Sequence, residues 1–162
     1  MLIPIYKPNW LISDSFTIEA WAKTGSIEVQ LLYSLETAGK EQVWLEVDSG
    51  GVKFNLRDDS WNNTLVEVLN DYTDSKWHHF AVVRDTSTDK VILYVDGQKA
   101  AEVTDNAITT INTVSQRRFF IGALNHSGGT TSYFNGEIGK FAVYKQALSA
   151  EEIKNHYDMC KP

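Results

Sequence analysis

The chain has 162 residues, 43% of them hydrophobic and 22% charged, and this is enough to bury the core of one domain. Its formal net charge is −6 and its only adjacent basic pair is Arg117-Arg118, which argues against nucleic acid and against a basic membrane-surface patch. Cys160 is the sole cysteine, so no disulfide forms within the chain. No apolar run approaches the roughly 20 residues of a membrane span, so membrane insertion is not expected.

Apolar and polar residues alternate through the first half of the chain, as they do in half-buried β-strands. The alternation predicts strands at residues 16–22, 30–35, 43–47, 52–56, 64–69 and 77–84. In the first of these, Phe16 and Ile18 share one face, while Glu19 and Trp21 share the other. The D-S-G-G cluster at residues 48–51 joins the third and fourth strands into a β-hairpin with an apolar inner face.

The second half predicts four more strands, at residues 91–95, 98–103, 119–124 and 136–145. Asp96-Gly97 separates the first two and is typical of a two-residue turn with positive φ angles. Ser149 and Glu152 form a capping box, which predicts a short helix over residues 149–158. The longest predicted loops are residues 58–63, 70–76, 104–117 and 125–132.

About ten short strands without alternating helices indicate an all-β protein, an antiparallel two-sheet sandwich with one C-terminal helix. Residues 14–162 form this domain, and residues 1–13 are an N-terminal extension or edge strand. The N-terminus has no basic segment and no apolar segment of a signal peptide. The chain carries no evident purification tag, which favours a complete chain over an excised domain. A virion or extracellular surface is the expected location.

Ordered motifs carry a family resemblance along nearly the whole chain. They read F-T-I-E-A-W at 16–21, W-H-H-F-A-V-V at 77–83, L-Y-V-D-G at 93–97, F-F-I-G at 119–122 and F-N-G-E-I-G at 134–139. In this order they resemble the laminin-G-like and pentraxin-like jelly rolls of the concanavalin A-like lectin/glucanase class. The resemblance implies a jelly-roll fold and does not by itself fix a function.

The carboxylate pattern argues against an enzyme. Glucanase-like members of the class place three carboxylates on one strand as E-x-D-x-x-E, close enough for double displacement. The nearest match here is Glu46-Val47-Asp48, and Gly51 occupies the place of the second Glu. A strand that ends in a turn explains this segment better than a catalytic site does.

Metal sites have little support in the sequence. His78 and His79 are adjacent on one strand, point to opposite faces and cannot bind one ion together. Calcium is the one cofactor that the resemblance raises, but the loop at 121–129, where pentraxins carry acidic ligands, has no carboxylate. Asp58 and Asp59 are the remaining candidate calcium ligands, and a solvated polar turn is the simpler interpretation of both.

Sugar binding requires an aromatic face for the ring and polar groups for the hydroxyls. Trp61 lies in a polar loop and is the best candidate, although it could instead fold back over the sandwich edge. The residues that could complete a binding rim with it are Asp59, Asn62, Tyr72, Asn125, His126 and Tyr133.

Two functions remain open. The first is a non-catalytic recognition module that binds a glycan through the loops at the sandwich edge, in a lectin or adhesion role. The second is a structural or decoration protein of a virion, such as a phage particle, or of another large assembly. The expected partner is accordingly a glycan or a protein at a cell or virion surface, and the chain could form a homo-oligomer or join a larger assembly.

Overall fold

The computed structural model describes residues 14–37, 40–58, 60–107, 117–126 and 129–162, so the predicted N-terminal extension lies outside the described residues. Twelve strands and one helix are found in these ranges. They are β1 (Phe16–Thr24), β2 (Gln30–Thr37), β3 (Lys40–Asp48), β4 (Gly51–Arg57), β5 (Asn63–Val68), β6 (Trp77–Asp85), β7 (Lys90–Val95), β8 (Gln98–Thr104), β9 (Arg117–Ile121), β10 (Leu124–His126), β11 (Gly129–Thr131), β12 (Gly136–Tyr144) and α1 (Ala150–Cys160).

Ten of these strands form two five-stranded sheets. The first sheet has the order β12-β1-β6-β7-β8 and the second has the order β5-β4-β3-β2-β9. All strand pairs within both sheets are antiparallel. The antiparallel two-sheet sandwich predicted from the alternating pattern is therefore confirmed.

The main core lies between the two sheets, where the apolar residues of each alternating strand meet. Phe16 and Ile18 of the first sheet and Leu45 and Phe54 of the second are fully buried there. Burying a side chain of this size contributes about 1.5–3 kcal/mol. The predicted apolar inner face of the β3–β4 hairpin is part of this core.

The Asp96-Gly97 turn has the predicted geometry, because the φ angles are 50° at Asp96 and 74° at Gly97. It also meets the C-terminal helix. A Cβ atom at Gly97 would lie 2.9 Å from the Cβ atom of Tyr157, so only glycine fits both the backbone and the space.

Two strand predictions need correction. The predicted strand at 119–124 is interrupted at Gly122, whose φ of 77° ends β9 at Ile121. The predicted loop at 125–132 contains strand residues, because β10 and β11 pair as a small separate hairpin. Glycine at position 122 allows the chain to turn sharply within an apolar run, which alternation alone does not reveal.

Helix α1 begins as predicted and ends later than predicted. The Ser149 Oγ accepts a hydrogen bond from the Glu152 N–H at 3.2 Å, and the Ser149 N–H donates to the Glu152 carboxylate at 2.7 Å. The helix continues past Asp158 to Cys160, and Lys161 is extended because Pro162 follows it. Within the described residues, no helix is long and apolar enough to cross a membrane.

Candidate functional site

Helix α1 covers the central part of the outer face of the first sheet. Ile153 of the helix is fully buried against Ala81 and Val83 of β6, together with Leu148. Every residue of β1 except Lys23 is buried, because the core covers one face and the helix covers most of the other. This face is therefore occupied by the chain itself.

A buried carboxylate anchors the helix to the sheet. Glu19 of β1 is 6% exposed and accepts a hydrogen bond from the Tyr144 hydroxyl at 2.8 Å. The Nδ1 atom of His156 on α1 lies 3.0 Å from the same carboxylate oxygen, and the Nε2 atom of His79 lies 3.5 Å from the other oxygen. Burial, followed by the interaction with Glu19, raises the pKa of Tyr144 to about 12.

The outer face of the second sheet is different. One row of cross-strand partners runs across its five strands and consists of Leu65, Asn55, Trp44, Ser34 and Phe120. These residues alternate with core residues, so they point away from the core. Ser34 donates to the Ala123 carbonyl at 2.8 Å and Phe120 is 6% exposed, so the β2–β9 side of the row is covered. The β3–β5 side stays accessible.

Asn55 lies at the centre of the accessible side. Trp44 and Leu65 are its partners on the two neighbouring strands, and Lys53 and Arg57 are its neighbours on the same face of β4. We refer to these five residues as the Asn55 slot. Asn55 is 4% exposed at its base, Leu65 is 43% exposed, and Trp44, Lys53 and Arg57 are half-buried.

Both cations of the Asn55 slot are held in place. The Lys53 ammonium lies 3.0 Å from Glu46 and 3.1 Å from Asp48, both on the outer face of β3. The hydrogen bond to Glu46 is the main reason that the pKa of Lys53 is raised above its ordinary value. The Arg57 guanidinium lies 5.0 Å from the centre of the Trp61 ring, within the range of a cation–π contact.

Trp61 extends the site beyond the end of β4. Its side chain is 59% exposed and its φ is 68°, a conformation that is uncommon for a bulky residue. Asp58 fixes this turn: its Oδ1 atom accepts hydrogen bonds from the N–H groups of Ser60 and Asn62, both at 2.9 Å. The Asn62 amide donates to the other carboxylate oxygen at 2.8 Å. The hydrogen bonds of Asp58 thus stabilise a turn that exposes a large apolar ring to solvent. An uncommon backbone conformation that is stabilised in this way is typical of functional loops.

The candidate calcium ligands have different placements. Asp58 is 1% exposed, and its carboxylate serves the turn instead of facing outward. Asp59 lies outside the described residues. Among residues that are described, no three His, Cys, Asp or Glu side chains are grouped so that they could hold a metal ion.

The predicted sugar-binding residues do not form one rim. Trp61 and Asn62 precede β5, whereas Tyr72 follows it, so these residues lie at opposite ends of the second sheet. Tyr72 is 9% exposed and packs edge-on against Phe80 in the core, which corrects its predicted position on the surface. Tyr133 is 64% exposed but lies at the far end from Trp61, because the neighbouring Ser132 carbonyl accepts from the Leu31 N–H at 3.0 Å.

The remaining two candidates are in the small hairpin. Asn125 and His126 belong to β10 and pair with Thr130 and Gly129. Their side chains lie outside the described part of the chain.

The candidate residues predicted from the sequence include neither Asn55 nor Trp44. A signal for both was present, because Trp44 alternates with Val43 and Leu45, and Asn55 alternates with Phe54 and Leu56. Strict alternation places both residues on the face opposite the core.

Residues 3–154 match the concanavalin A-like lectin/glucanases superfamily. The chain belongs to this superfamily. The predicted laminin-G-like and pentraxin-like jelly-roll fold is thereby confirmed.

Solved structures of other proteins resemble the chain at low sequence identity. The carbohydrate-binding module CBM40 of the Ruminococcus gnavus IT-sialidase, solved with α2,3-sialyllactose, is 22% identical. It aligns over 89% of this chain and 83% of its own with a TM-score of 0.76. The heptameric SAP-like pentraxin of Limulus polyphemus is 15% identical over 90% of this chain and 70% of its own, with a TM-score of 0.67. At these identities the likeness establishes the fold.

A curated relative is the non-toxic nonhemagglutinin of Paraclostridium bifermentans, which is 22% identical over 153 residues. These residues are 90% of this chain but only 12% of the relative. The chain thus corresponds to a small part of that protein.

Proposed function

We propose that this chain is a carbohydrate-binding module of the superfamily and that it holds its ligand on the outer face of the second sheet. The observation that carries the proposal is the exposed, structurally fixed ring of Trp61 beside the Asn55 slot. Such an aromatic face packs against the apolar side of a sugar ring, while nearby amides and charged groups bind its hydroxyls. Helix α1 occupies the central part of the other outer face of the sandwich.

The fold likeness to a carbohydrate-binding module supports this proposal, because that module was solved with a bound oligosaccharide. The relatives named above give no support to a virion structural role. The proposed location is an extracellular surface where glycans are displayed. A homo-oligomer stays a prediction.

We further propose that the module is not catalytic. Glu46 and Asp48, the carboxylates closest to the glucanase pattern, both contact the Lys53 ammonium, and position 51 is a glycine. A carboxylate that acts as acid or nucleophile must be free to exchange a proton or attack the sugar. The ion pairs with Lys53 oppose both roles.

A glycan array followed by titration calorimetry tests the proposal. The wild-type protein is expected to bind a subset of glycans, and Trp61→Ala is expected to weaken binding at least about fivefold, since an aromatic contact contributes on the order of 1 kcal/mol. Leu69→Ala is the matched control, because Leu69 is 76% exposed at the opposite end of the sheet. If no glycan binds, or if both variants bind like the wild type, the proposal is wrong.

A further inference from the structure

Asn55 has an unusual environment for a side chain on an outward face. Its amide carries two N–H donors and a carbonyl acceptor, and it makes no hydrogen bond with the residues that the structure describes. Nearly buried polar groups in folded proteins normally have partners. An unpaired amide that is 4% exposed at the base of the Asn55 slot is therefore a group that a ligand could satisfy.

The amide is nearly buried but not sealed. The fully sealed and unpaired side-chain atoms in the described part of the chain are Trp21 Nε1, Tyr33 Oη and His79 Nδ1. The Asn55 atoms are not among them, so they keep a small accessible area. A ligand group narrow enough to enter between the four framing side chains can reach them.

The four side chains around Asn55 determine which ligand group can contact its amide. Lys53 and Arg57 lie on the two sides of Asn55 along β4. Lys53 forms ion pairs with Glu46 and Asp48, and Arg57 contacts the Trp61 ring. Trp44 and Leu65 stand on the other two sides and are apolar next to the amide. The best-matched group is neutral and planar, and it presents a hydrogen-bond donor and an apolar substituent on the same side.

We propose that Asn55 is a specificity-determining residue that selects the acetamido group of N-acetylated sugars, an inference that rests on the proposed glycan binding. The acetamido N–H donates to the Asn55 carbonyl oxygen, while the acetamido carbonyl, which points the opposite way in a trans amide, faces out of the slot. The methyl group packs against Leu65 or Trp44. A sugar with a hydroxyl at that position supplies hydrogen bonds but leaves the apolar walls without a contact.

Matched sugar pairs test this inference by calorimetry. The probes are chito-oligosaccharides against the corresponding gluco-oligosaccharides, and N-acetylgalactosamine against galactose. The wild type is expected to prefer the N-acetylated member of a pair about tenfold. Asn55→Leu, which removes both polar atoms at similar volume, is expected to abolish that preference.

Asn155→Leu is the matched control, since Asn155 is exposed on α1 on the opposite side of the sandwich. It is expected to keep the wild-type preference, and thermal melts verify that each variant is folded. Glycan binding without an N-acetyl preference, or a preference that survives in a folded Asn55 variant, overturns this inference and leaves the proposed function standing. Failure of the wild type to bind any glycan overturns both.

Discussion

The Tyr157 ring of α1 stacks on the Trp21 ring of β1, with centroids 5.4 Å apart and an angle of 15° between the planes. This contact joins the last element of the chain to the first strand. A second, smaller cluster of buried residues, which includes Ile153 of the helix and Tyr94 of the sheet, also joins α1 to the sheet. The helix is therefore an integral part of the sandwich and not an appendage.

Removing the buried anchor of the helix should destabilise the whole domain. Ile153 is fully buried, so Ile153→Ala is expected to lower the free energy of unfolding by about 2–5 kcal/mol. Met159→Ala, at a 76% exposed position of the same helix, should change it by less than about 0.5 kcal/mol. Urea unfolding curves measure both variants. Equal effects would mean that α1 does not contribute to the cooperative core.

The contact between Glu19 and the helix should depend on pH. Burial by itself raises the pKa of Glu19, but hydrogen bonds with His79, Tyr144 and His156 outweigh burial and hold the pKa below its ordinary value of 4.5. A carboxyl with a lowered pKa in the folded state adds stability above its unfolded pKa, and this stability is lost as the pH falls through the folded value. In Glu19→Gln, the free energy of unfolding should therefore fall less steeply than in the wild type below about pH 4.5. Identical pH profiles for the two proteins would contradict this assignment.

Alternation predicted which residues of each strand share a face, but not what covers each face. Glu19 and Trp21 were assigned correctly to one side of β1, and only the docking of α1, more than a hundred residues later, explains why they are buried. Asn55 follows the same logic. Its outward direction can be read from the sequence, whereas its burial depends on side chains from its own strand and from the two neighbouring strands.

The candidate binding rim shows a second limit of sequence reasoning. Trp61 was predicted to be a loop aromatic, and it is exposed. Tyr72 is predicted to complete a binding rim with Trp61, yet β5 runs between them. A six-residue strand carries the chain about 20 Å, from one end of the sheet to the other. Assigning loops to ends of the sandwich requires the strand order and direction.

His78 should titrate above its ordinary range. Its Nδ1 atom lies 2.9 Å from Asp96 and its Nε2 atom 3.1 Å from Asp74, which in turn contacts Lys76 at 2.7 Å. The hydrogen bond to Asp96 is the main cause that raises the pKa of His78 above 6.5, against the effect of burial. Its contribution to stability is fully present below pH 6.5 and is lost as the pH rises through the folded pKa.

Histidine NMR titrations measure this shift directly. Asp96→Asn should move the pKa of His78 down toward 6.5, because it removes the charge of the main partner. Asp89→Asn, in an exposed turn, serves as the control and should leave the titration unchanged. If His78 titrates at or below 6.5 in the wild type, the two carboxylate contacts do not persist in solution.

The ion pair between Arg84 and Asp105 should be essential for stability because it is buried. The Arg84 Nε atom lies 2.6 Å from the Asp105 carboxylate, and each side chain is 5% exposed. Asp105 also accepts a hydrogen bond from Thr64 of β5 at 3.0 Å, so the pair links the two sheets at their β5–β8 edge. Removing one partner of a buried pair leaves a charge without compensation, at a typical loss of about 3–5 kcal/mol.

We therefore expect Arg84→Met to lower the free energy of unfolding by that amount, as measured in urea. The double variant Arg84→Met/Asp105→Leu should regain most of the loss, because two apolar side chains of similar volume carry no desolvated charge. The Lys99–Glu102 pair is the exposed control at 3.3 Å, and Lys99→Met should cost at most about 1 kcal/mol. If Arg84→Met lowers the free energy of unfolding no more than Lys99→Met does, water reaches Asp105 and the edge of the sandwich is open. If the double variant is as unstable as Arg84→Met, packing of the arginine stem, and not its charge, holds the two sheets together there.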